Sequence, residues 1–257
     1  MQIYSLINTY QFPNKNNFRG KLQNKSVLDS AKDWNKFVGQ NIPSSLELSP
    51  IIYKYIKYDD NICDVGMGFG KTIFELYKKG FTNLSGIDSN SSGVDFANKT
   101  IKDFNLTGNF NFINGNASNI DFKDKSQNVV ITQAFWTTIT NLSDRKNILN
   151  EINRILKNNG VLYIQDFGYT PNILNYKQRY DLGLKKGYEK GTFEVIDSKT
   201  GNLEYLAHHY TKNEFTELLK DGNFKIEEYI ISPVKTRSGN TINGHTIIAS
   251  KQVGCIV

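Results

Sequence analysis

Apolar runs alternate with amphipathic stretches along most of the chain from residue 61 onward. The apolar runs predict strands at residues 61–65, 84–88, 110–113, 128–132 and 161–167. Apolar residues at helical spacing predict helices at residues 71–79, 92–104 and 144–157, the last capped by Ser143 and ended by Asn159 and Gly160. Repeated alternation of strand and helix predicts an α/β sandwich around a mostly parallel sheet.

The pattern changes after residue 167. Residues 168–210 are predicted to form an insert that starts with a tyrosine-rich segment and continues as a hairpin, with strands at 192–196 and 203–209. Thr211 and Glu214 have the spacing of a capping box and predict a helix to about residue 221. Two closing strands are predicted at 224–231 and 241–250, joined across the turn at 238–240.

The first part of the chain lacks this order. Residues 1–30 are polar and rich in Asn and Lys, which predicts a flexible N-terminal arm. Residues 31–57 are predicted to be helical, with a break at Pro43. The folded domain is therefore expected to span residues 31–257.

Composition excludes several classes of protein. The chain has 257 residues, 39% of them hydrophobic, which is enough for a full core without disulfide bonds. Two cysteines and three histidines predict neither a disulfide scaffold nor a metal site. No apolar run is long enough to cross a membrane and the N-terminus lacks the pattern of a signal peptide, so we expect a cytoplasmic protein without a membrane partner.

The net charge of +6 raises the possibility of a nucleic-acid partner. Only five of the 31 basic residues are arginines, and the lysines are scattered along the chain. Arginine is the side chain that best forms paired contacts with phosphates and bases. Sequence-specific binding of nucleic acid is therefore not expected.

Residues 62–70, ICDVGMGFG, carry the most informative chemistry. A strand ends in Asp64, and a turn containing Gly66, Gly68 and Gly70 then leads into a helix, where backbone N–H groups can meet a ligand. The spacing does not fit the dinucleotide fingerprint G-x-G-x-x-G, and Val65 stands where a phosphate loop has its first glycine. An acid before the turn would repel a pyrophosphate, so the pattern favours a cationic ligand.

The segment resembles motif I of class I S-adenosylmethionine-dependent methyltransferases, [D/E]-x-G-x-G-x-G. Further segments at the family's intervals resemble its other motifs, and the likeness is to the ubiquinone/menaquinone-biosynthesis-like, type 11 group. These segments are residues 85–89 (SGIDS), 115–122 (GNASNIDF), 127–131 (QNVVI) and 153–162 (NRILKNNGVL). Asn116 stands where the family usually has Asp, and Asp121 where it usually has Pro.

The resemblance implies a Rossmann-like sandwich with a seven-stranded, mostly parallel sheet, an antiparallel last strand and a lid-like insert at 168–210 after strand 5. It also implies S-adenosylmethionine as cofactor, with S-adenosylhomocysteine as its product. The loop around Asp64 would hold the methionine portion, Asp88 the ribose hydroxyls, and the chain near residues 89 and 117 the adenine. The full set implied to bind the cofactor is Asp64, Gly66, Gly68, Gly70, Asp88, Ser89, Asn116, Ala117 and Gln133.

Candidates for handling the acceptor come from the insert and from the chain after strand 4. His208 and His209 are candidate general bases, because an imidazole titrates near neutral pH, although strand alternation lets at most one face a pocket. A structural hydrogen bond is the alternative role for both. Aromatic side chains would either line an acceptor pocket or pack a lid, and they are Phe135, Trp136, Tyr169 and Tyr210.

The acceptor itself is expected to be a small molecule. The [D/N]-P-P-[Y/F] motif of nucleobase amino-methyltransferases is absent, since residues 132–135 read TQAF. Two alternatives stay open: an RNA or protein methyltransferase that uses basic residues 15–25, and a cofactor-binding but inactive partner subunit. An aminopropyl transferase on the same fold is disfavoured, because the sequence lacks the acidic pattern of a polyamine site. The oligomeric state is expected to be a monomer or a homodimer.

Overall fold

Nine strands lie within the part of the chain that the computed structural model describes, which is residues 45–197, 200–236 and 239–252. Seven of them form one sheet in the order β3-β2-β1-β4-β5-β9-β8, and β6 pairs with β7 in a separate hairpin. The strands are β1 Ile62–Val65, β2 Asn83–Asp88, β3 Asn109–Asn114, β4 Gln127–Gln133, β5 Leu156–Phe167, β6 Thr192–Ile196, β7 Leu203–His208, β8 Phe224–Lys235 and β9 Thr241–Lys251. The arm predicted at residues 1–30 lies outside the described residues.

The first five strands pair in parallel, and β9 is antiparallel to both of its neighbours, β5 and β8. This confirms the predicted seven-stranded, mostly parallel sheet with an antiparallel last strand. From β1 the chain continues to β2 on one side of the sheet, and from β4 it continues to β5 on the other side. The loops after β1 and β4 therefore diverge. A crevice for ligands forms at the carboxyl ends of strands at such a point.

Helices cover both faces of the sheet, as the strand–helix alternation predicts. They are α1 Lys71–Lys78, α2 Ser91–Asp103, α3 Leu142–Ile155, α4 Leu174–Lys185 and α5 Lys212–Asp221, together with short 3₁₀ turns at Pro50–Lys54 and Trp136–Thr138. One buried cluster joins α1, α2 and the first 3₁₀ turn to the sheet, and a second joins α3 and α5 to the opposite face. None of the described helices has the length and apolarity needed to cross a bilayer.

The insert after β5 folds as α4 followed by the β6–β7 hairpin, and its two ends meet. Gly168 pairs with Tyr210 in an isolated parallel bridge, and the Tyr169 N–H donates to the Tyr210 carbonyl at 2.8 Å. Tyr176, Tyr180 and Phe193 form the buried centre of the insert. The predicted hairpin is confirmed, and the insert at the carboxyl end of β5 shares its buried cluster with Ile242 of β9.

The capping box predicted at Thr211 is present. The Thr211 hydroxyl accepts from the Glu214 N–H, and the Glu214 carboxylate accepts from the Thr211 N–H at 2.6 Å. These bonds satisfy two N–H groups that the first turn of α5 would otherwise leave without partners.

The helix predicted at residues 31–57 is wrong where the structure describes it. Only Pro50–Lys54 is helical, as a single 3₁₀ turn, and Ser49 before it is extended. Proline restricts the residue before it to extended backbone and lacks the N–H that a helix interior needs, so the turn begins at Pro50. Residues 31–44 lie outside the described residues.

The boundaries of α3 also differ from the sequence prediction. Asn141, not Ser143, is the N-cap, because the Asn141 side chain accepts from the Ser143 N–H at 2.8 Å. The helix ends at Ile155 rather than at residue 157, since Leu156 is already paired with Gln127 of β4. Apolar spacing continued past the end of the helix because β5 buries the next residue.

Candidate functional site

The glycine loop between β1 and α1 lies at the carboxyl edge of the sheet. Gly66, Gly68 and Gly70 all have positive φ, between 50° and 82°. The N–H groups of Gly66 and Met67 both donate to the Ile87 carbonyl of β2, which ties the start of the loop to the neighbouring strand. The sequence prediction of a tight glycine turn is therefore confirmed in its backbone geometry.

Two of these glycines face different surroundings. A Cβ atom on Gly66 would overlap the Phe135 ring, so the loop is packed against protein at that point. A Cβ atom on Gly68 would meet no protein atom within 4 Å. Gly66 thus leaves space for Phe135, whereas the side of Gly68 where a Cβ atom would lie is open to a ligand.

Asp88 at the end of β2 is hydrogen-bonded to the glycine loop. Its Oδ2 accepts from the Gly68 N–H at 2.7 Å and its Oδ1 from the Asn90 N–H at 2.8 Å. A carboxylate offers about four acceptor positions, so two are left for further donors such as hydroxyl groups. Burial raises the pKa of Asp88, while the two N–H donors act in the opposite direction.

Asp64 lies under the loop at the end of β1 and is almost completely buried. Burial, followed by the charge of Asp88, raises the pKa of the Asp64 carboxyl to about 8, and a hydrogen bond with Thr72 opposes the shift. A positive charge near this carboxyl would favour its ionised form and be held by it. The site can therefore respond to the charge of a ligand at neutral pH.

The end of β3 closes one side of the crevice. Asn114 donates through Nδ2 to the carbonyls of Asp88 and Ser89 at 2.9 and 3.0 Å, and so joins β3 to the end of β2. Asn116 is exposed, and its Oδ1 accepts from the Ser118 N–H at 2.9 Å. Ala117 is half-buried against the core on the α3 side. The predicted adenine contacts of Ser89, Asn116 and Ala117 stay predictions.

Gln133 at the end of β4 belongs to a buried chain of hydrogen bonds. The Thr72 hydroxyl donates to Gln133 Oε1 at 2.8 Å, and Gln133 Nε2 donates to Gln165 Oε1 at 2.9 Å. The Tyr163 hydroxyl also donates to Gln165 and accepts from the Ser49 N–H, each at 3.0 Å. Gln133 thus connects α1 to β5, and contact with a cofactor stays a prediction.

The turn after β4 carries Phe135 and Trp136. Trp136 is fully buried, and its indole N–H donates to the Thr132 hydroxyl at 3.0 Å. Tyr210 is only 1% exposed and donates to the carbonyls of Trp136 and Ile139 at 3.1 Å. These contacts give Trp136 and Tyr210 a packing role. Contact of either side chain with an acceptor stays a prediction.

Phe135 and Tyr169 are half-buried, unlike Trp136 and Tyr210. The Tyr169 ring lies 4.6 Å from that of Tyr180, and the Lys190 ammonium lies 5.1 Å from the Tyr169 centroid. Both side chains are at the carboxyl ends of adjacent strands, β4 and β5. They are therefore the two predicted pocket residues that retain surface for a ligand.

The two candidate bases are buried on opposite sides of their strand end. His208 lies between the Thr192 hydroxyl, at 2.8 Å from Nδ1, and Glu214, at 3.2 Å from Nε2. His209 contacts the Tyr180 hydroxyl at 2.8 Å and is surrounded by aromatic rings. Burial lowers the pKa of both imidazoles, and most strongly that of His209.

The partners of His208 fix its tautomer. Burial alone would raise the pKa of Glu214. Hydrogen bonds with His208 and Thr211 outweigh this effect and lower the pKa to about 2. A carboxylate only accepts, so Nε2 of a neutral His208 donates to it and Nδ1 accepts from Thr192. This is the structural hydrogen bond named above as the alternative, and a role in catalysis stays a prediction.

His208 also belongs to the group of side chains among the described residues whose geometry could hold a metal ion. Donor atoms of Glu189, His208 and Glu214 lie within 4.8 Å of one another. Glu189 is already paired with the buried Arg145 through two hydrogen bonds of 2.8 and 3.2 Å. The cluster is accounted for as an ion-pair network that joins the insert to α3 and α5.

Sequence reasoning missed one acidic residue at this edge. Asp166 near the end of β5 is completely buried, and its carboxylate accepts from the N–H groups of Thr137 and Phe167 at 3.1 and 2.7 Å. Burial raises the pKa of Asp166 to about 7 despite these donors. The signal was available, since an acid ends the apolar run of β5 just as Asp64 and Asp88 end theirs.

Comparison with known proteins agrees with this geometry. The sequence profile of a family described as "Methyltransferase domain" matches residues 56–223. That match covers the glycine loop, all five parallel strands and the insert. The chain belongs to this methyltransferase family.

Its relatives cover overlapping parts of the chain. A demethylmenaquinone methyltransferase of Thermotoga maritima is 30% identical over 176 residues, which are 65% of this chain and 71% of the relative. A ubiquinone/menaquinone biosynthesis C-methyltransferase of a Shewanella species is 28% identical over 146 residues, 55% of this chain and 56% of the relative. A crystal structure of a SAM-dependent methyltransferase from Methanosarcina mazei is 36% identical, with a TM-score of 0.77 over 81% of this chain and 100% of that one.

The methyltransferase is thus a class I enzyme that depends on S-adenosylmethionine, as the motif resemblance implied. The residues present fit that cofactor in two respects. Gly68 exposes backbone where no side chain intrudes, and Asp88 keeps acceptor positions for a pair of hydroxyl groups. A sulfonium ion in the crevice would favour the ionised forms of Asp88 and Asp64, opposing the burial that raises the pKa of both carboxyls and that of Asp64 to about 8.

The open surface at Gly68 makes a testable prediction. We expect Gly68→Ala to raise the Kd for S-adenosylhomocysteine at least about tenfold, because the methyl group would occupy space left for the ligand. Isothermal titration calorimetry measures the change. Gly201→Ala is the matched control, since Gly201 also has positive φ and open space but lies in the insert hairpin. Equal affinity of the Gly68→Ala and Gly201→Ala variants would contradict the assignment.

The raised pKa of Asp64 makes a second prediction. Ionisation of this carboxyl as the pH rises through about 8 adds a negative charge beside the loop. The affinity for S-adenosylmethionine, which is cationic at sulfur, should therefore rise relative to that for neutral S-adenosylhomocysteine, by about tenfold between pH 6 and pH 9. Titrations of both ligands at each pH give the ratio.

Asp64→Asn should make that ratio independent of pH. Asp103→Asn is the control, because Asp103 is exposed and paired with Lys99 on the outer face of α2. A ratio that keeps its pH dependence in the Asp64→Asn variant would show that another group discriminates between the two ligands.

Proposed function

We propose that this methyltransferase acts on a small-molecule acceptor that binds between the turn after β4 and the insert at residues 168–210. The observation that carries the proposal is the closure of the insert on the carboxyl end of β5. The Tyr169 N–H donates to the Tyr210 carbonyl, and the Tyr210 N–H to the Phe167 carbonyl at 3.3 Å. The insert is thereby fixed beside the turn after β4, where it would enclose the acceptor.

The relatives support a small-molecule acceptor rather than RNA or protein. Their names describe methylation of demethylmenaquinone and of intermediates in ubiquinone and menaquinone biosynthesis. The half-buried rings of Phe135 and Tyr169 suit a planar acceptor, since aromatic faces stack on flat ligands. We therefore expect a small aromatic compound, with quinols as the first class to test.

S-adenosylmethionine, when bound, supplies a methyl group on a positively charged sulfur that departs as a neutral thioether. Gly66 and Gly68 would hold the methionine portion, and Asp88 would accept hydrogen bonds from the ribose hydroxyls, each charge-assisted bond stabilising binding by about 1.5–3 kcal/mol. Phe135 and the insert would align the acceptor and exclude water. Alignment of this kind accounts for up to about 7–11 kcal/mol in well-oriented reactions.

Proton transfer has a limited part in this chemistry. The thioether leaves without a proton, so a base is needed only for an acceptor that must first lose one. His208 and His209 are both held neutral by burial, and their hydrogen bonds run to Glu214, Thr192 and Tyr180. An acceptor that is already anionic, such as a phenolate or an enolate, would fit this site without help from either imidazole.

Asp88 provides the test of cofactor binding. At a hundredfold excess over Kd, S-adenosylhomocysteine should stabilise the folded enzyme by about 2.7 kcal/mol, seen as a higher melting temperature. Asp88→Ala should remove most of that shift, because the ribose would lose its acceptor. Asp95→Ala, an exposed acid on α2, should retain it. A full shift in the Asp88→Ala variant would refute the ribose assignment.

The class of acceptor is tested with a labelled methyl donor. The enzyme is incubated separately with small aromatic compounds including quinols, with a metabolite extract, with RNA and with a protein extract. We expect label to enter a small molecule, and to do so far more slowly with the Asp88→Ala variant. Label in RNA or protein would replace the proposal, and donor binding without turnover on any acceptor would favour an inactive partner subunit.

A further inference from the structure

The carboxylate of Asp166 lies directly behind the turn that follows β4. It is completely buried, and within the described part of the chain its charge is met by backbone N–H groups rather than by a basic side chain. One of these donors, the Thr137 N–H at 3.1 Å, belongs to that turn, and the other is the Phe167 N–H at 2.7 Å. The backbone N–H groups of Trp136 and Phe135 in the same turn also act to lower the pKa of this carboxyl.

The opposite side of the turn is held by Tyr210. Its hydroxyl lies 3.1 Å from the carbonyl oxygens of both Trp136 and Ile139. The turn itself closes through Thr138 N–H to the Phe135 carbonyl at 3.0 Å. The turn thus donates to Asp166 through backbone N–H and accepts from the Tyr210 hydroxyl at its carbonyl groups. The peptide group between Trp136 and Thr137 is hydrogen-bonded on both sides.

The turn requires this support because it starts from strained backbone. Ala134 has a φ of +51°, in the left-handed region that residues other than glycine rarely adopt. Its N–H donates to the Gln165 carbonyl at 2.8 Å, next to Asp166 on β5. Residues in such conformations persist when the surrounding structure holds them in place. Here two consecutive residues of β5, Gln165 and Asp166, hold the start of the turn.

Phe135 transmits the position of the turn to the glycine loop. Its ring fills the space beside Gly66 so closely that a Cβ atom there would overlap it, and it packs edge-on against Trp136 at 5.6 Å. Displacement of the Phe135 backbone would therefore withdraw the ring from Gly66. The loop that begins at Gly66 also presents Gly68 and its bond to Asp88.

From these contacts we propose that Asp166 is a positioning residue of the donor site. Its carboxylate fixes the turn after β4, so that the Phe135 ring supports the glycine loop at Gly66 in the form that binds the cofactor. Asp166 acts through Phe135 and touches neither ligand. The proposal rests on the proposed function only in that the glycine loop binds the donor.

A double-mutant cycle on donor affinity tests this path. The Kd for S-adenosylhomocysteine is measured by calorimetry for the unmodified enzyme, Asp166→Asn, Phe135→Ala and the double variant. Asn keeps the shape of the side chain but turns an NH₂ group toward N–H donors. We expect Asp166→Asn to raise Kd about tenfold and to add little once Phe135 is Ala, because residues on one path are not additive.

A general structural role would give a different result. Ser85→Ala is the matched control, since it removes a buried hydroxyl that bonds to Ile62 and Gln127 within the same sheet but away from the turn. It should lower the melting temperature and leave Kd unchanged. If Asp166→Asn leaves Kd unchanged, or if its effect multiplies fully with that of Phe135→Ala, the proposal is wrong.

Tyr210→Phe covers the case in which Asp166→Asn does not fold. It frees the carbonyl side of the same turn and should also raise Kd in a way that vanishes when Phe135 is Ala. Additive behaviour would overturn the proposal here too. If the unmodified enzyme binds no S-adenosylhomocysteine, the proposed function fails first, and this inference fails with it for that separate reason.

Discussion

The hydrogen bond from the Gly68 N–H to the Asp88 carboxylate is the contact on which the site depends. It joins the loop after β1 to the end of β2, and it forms because the two strands are parallel neighbours whose carboxyl ends meet. Burial, followed by the charge of Asp88, raises the pKa of Asp64 to about 8, so the loop closes over two neighbouring acids of which Asp64 is largely protonated at neutral pH. A cationic ligand would favour the ionised form of Asp64, and this gives the crevice a preference for positively charged ligands.

Much of this arrangement follows from the sequence because it is local. Strand, acid, glycine turn and helix occur within residues 62–78, and short-range pattern and turn chemistry determine such a unit. The capping box at Thr211 and the insert hairpin were predictable for the same reason. The N-cap of α3 was misplaced because Asn141 and Ser143 both have capping side chains two residues apart, and only the packing of the helix decides between them.

The features that could not be predicted from the sequence depend on contacts between distant residues. Trp136 and Tyr210 are 74 positions apart, and an aromatic side chain near a strand end is equally compatible with a pocket wall and with a core position. Their burial depends on the insert returning to β5, which is a tertiary event. Asp166 is similar, because its partner Thr137 lies 29 residues earlier, in the turn after the neighbouring strand β4. An acid at the end of an apolar run marks the edge of the sheet, but pattern alone does not separate Asp88, which has acceptor positions left for a ligand, from Asp166, which binds the turn after β4.

The three histidines are buried and link elements of the fold through hydrogen bonds. His245 donates to the Tyr210 carbonyl at 2.8 Å and lies 3.0 Å from the Tyr229 hydroxyl, so it joins the insert to β8 and β9. Burial lowers the pKa of His245 as it does for His208 and His209, and each imidazole has a hydrogen-bonding partner inside the protein. Neutral imidazoles can both donate and accept, which suits them to linking elements in a dry interior.

The consequence is that charge at the carboxyl edge of the sheet comes from carboxylates, with no imidazolium to offset it. Asp88 binds the glycine loop through the Gly68 N–H, and Asp64 lies on the strand that leads into the loop, whereas Asp166 accepts from the Thr137 N–H in the turn behind Phe135. In the proposed arrangement the donor and the acceptor would share one wall, the turn after β4. The acids on the side of the glycine loop would then hold the positive charge of the donor while the nucleophile approaches from the side of the insert.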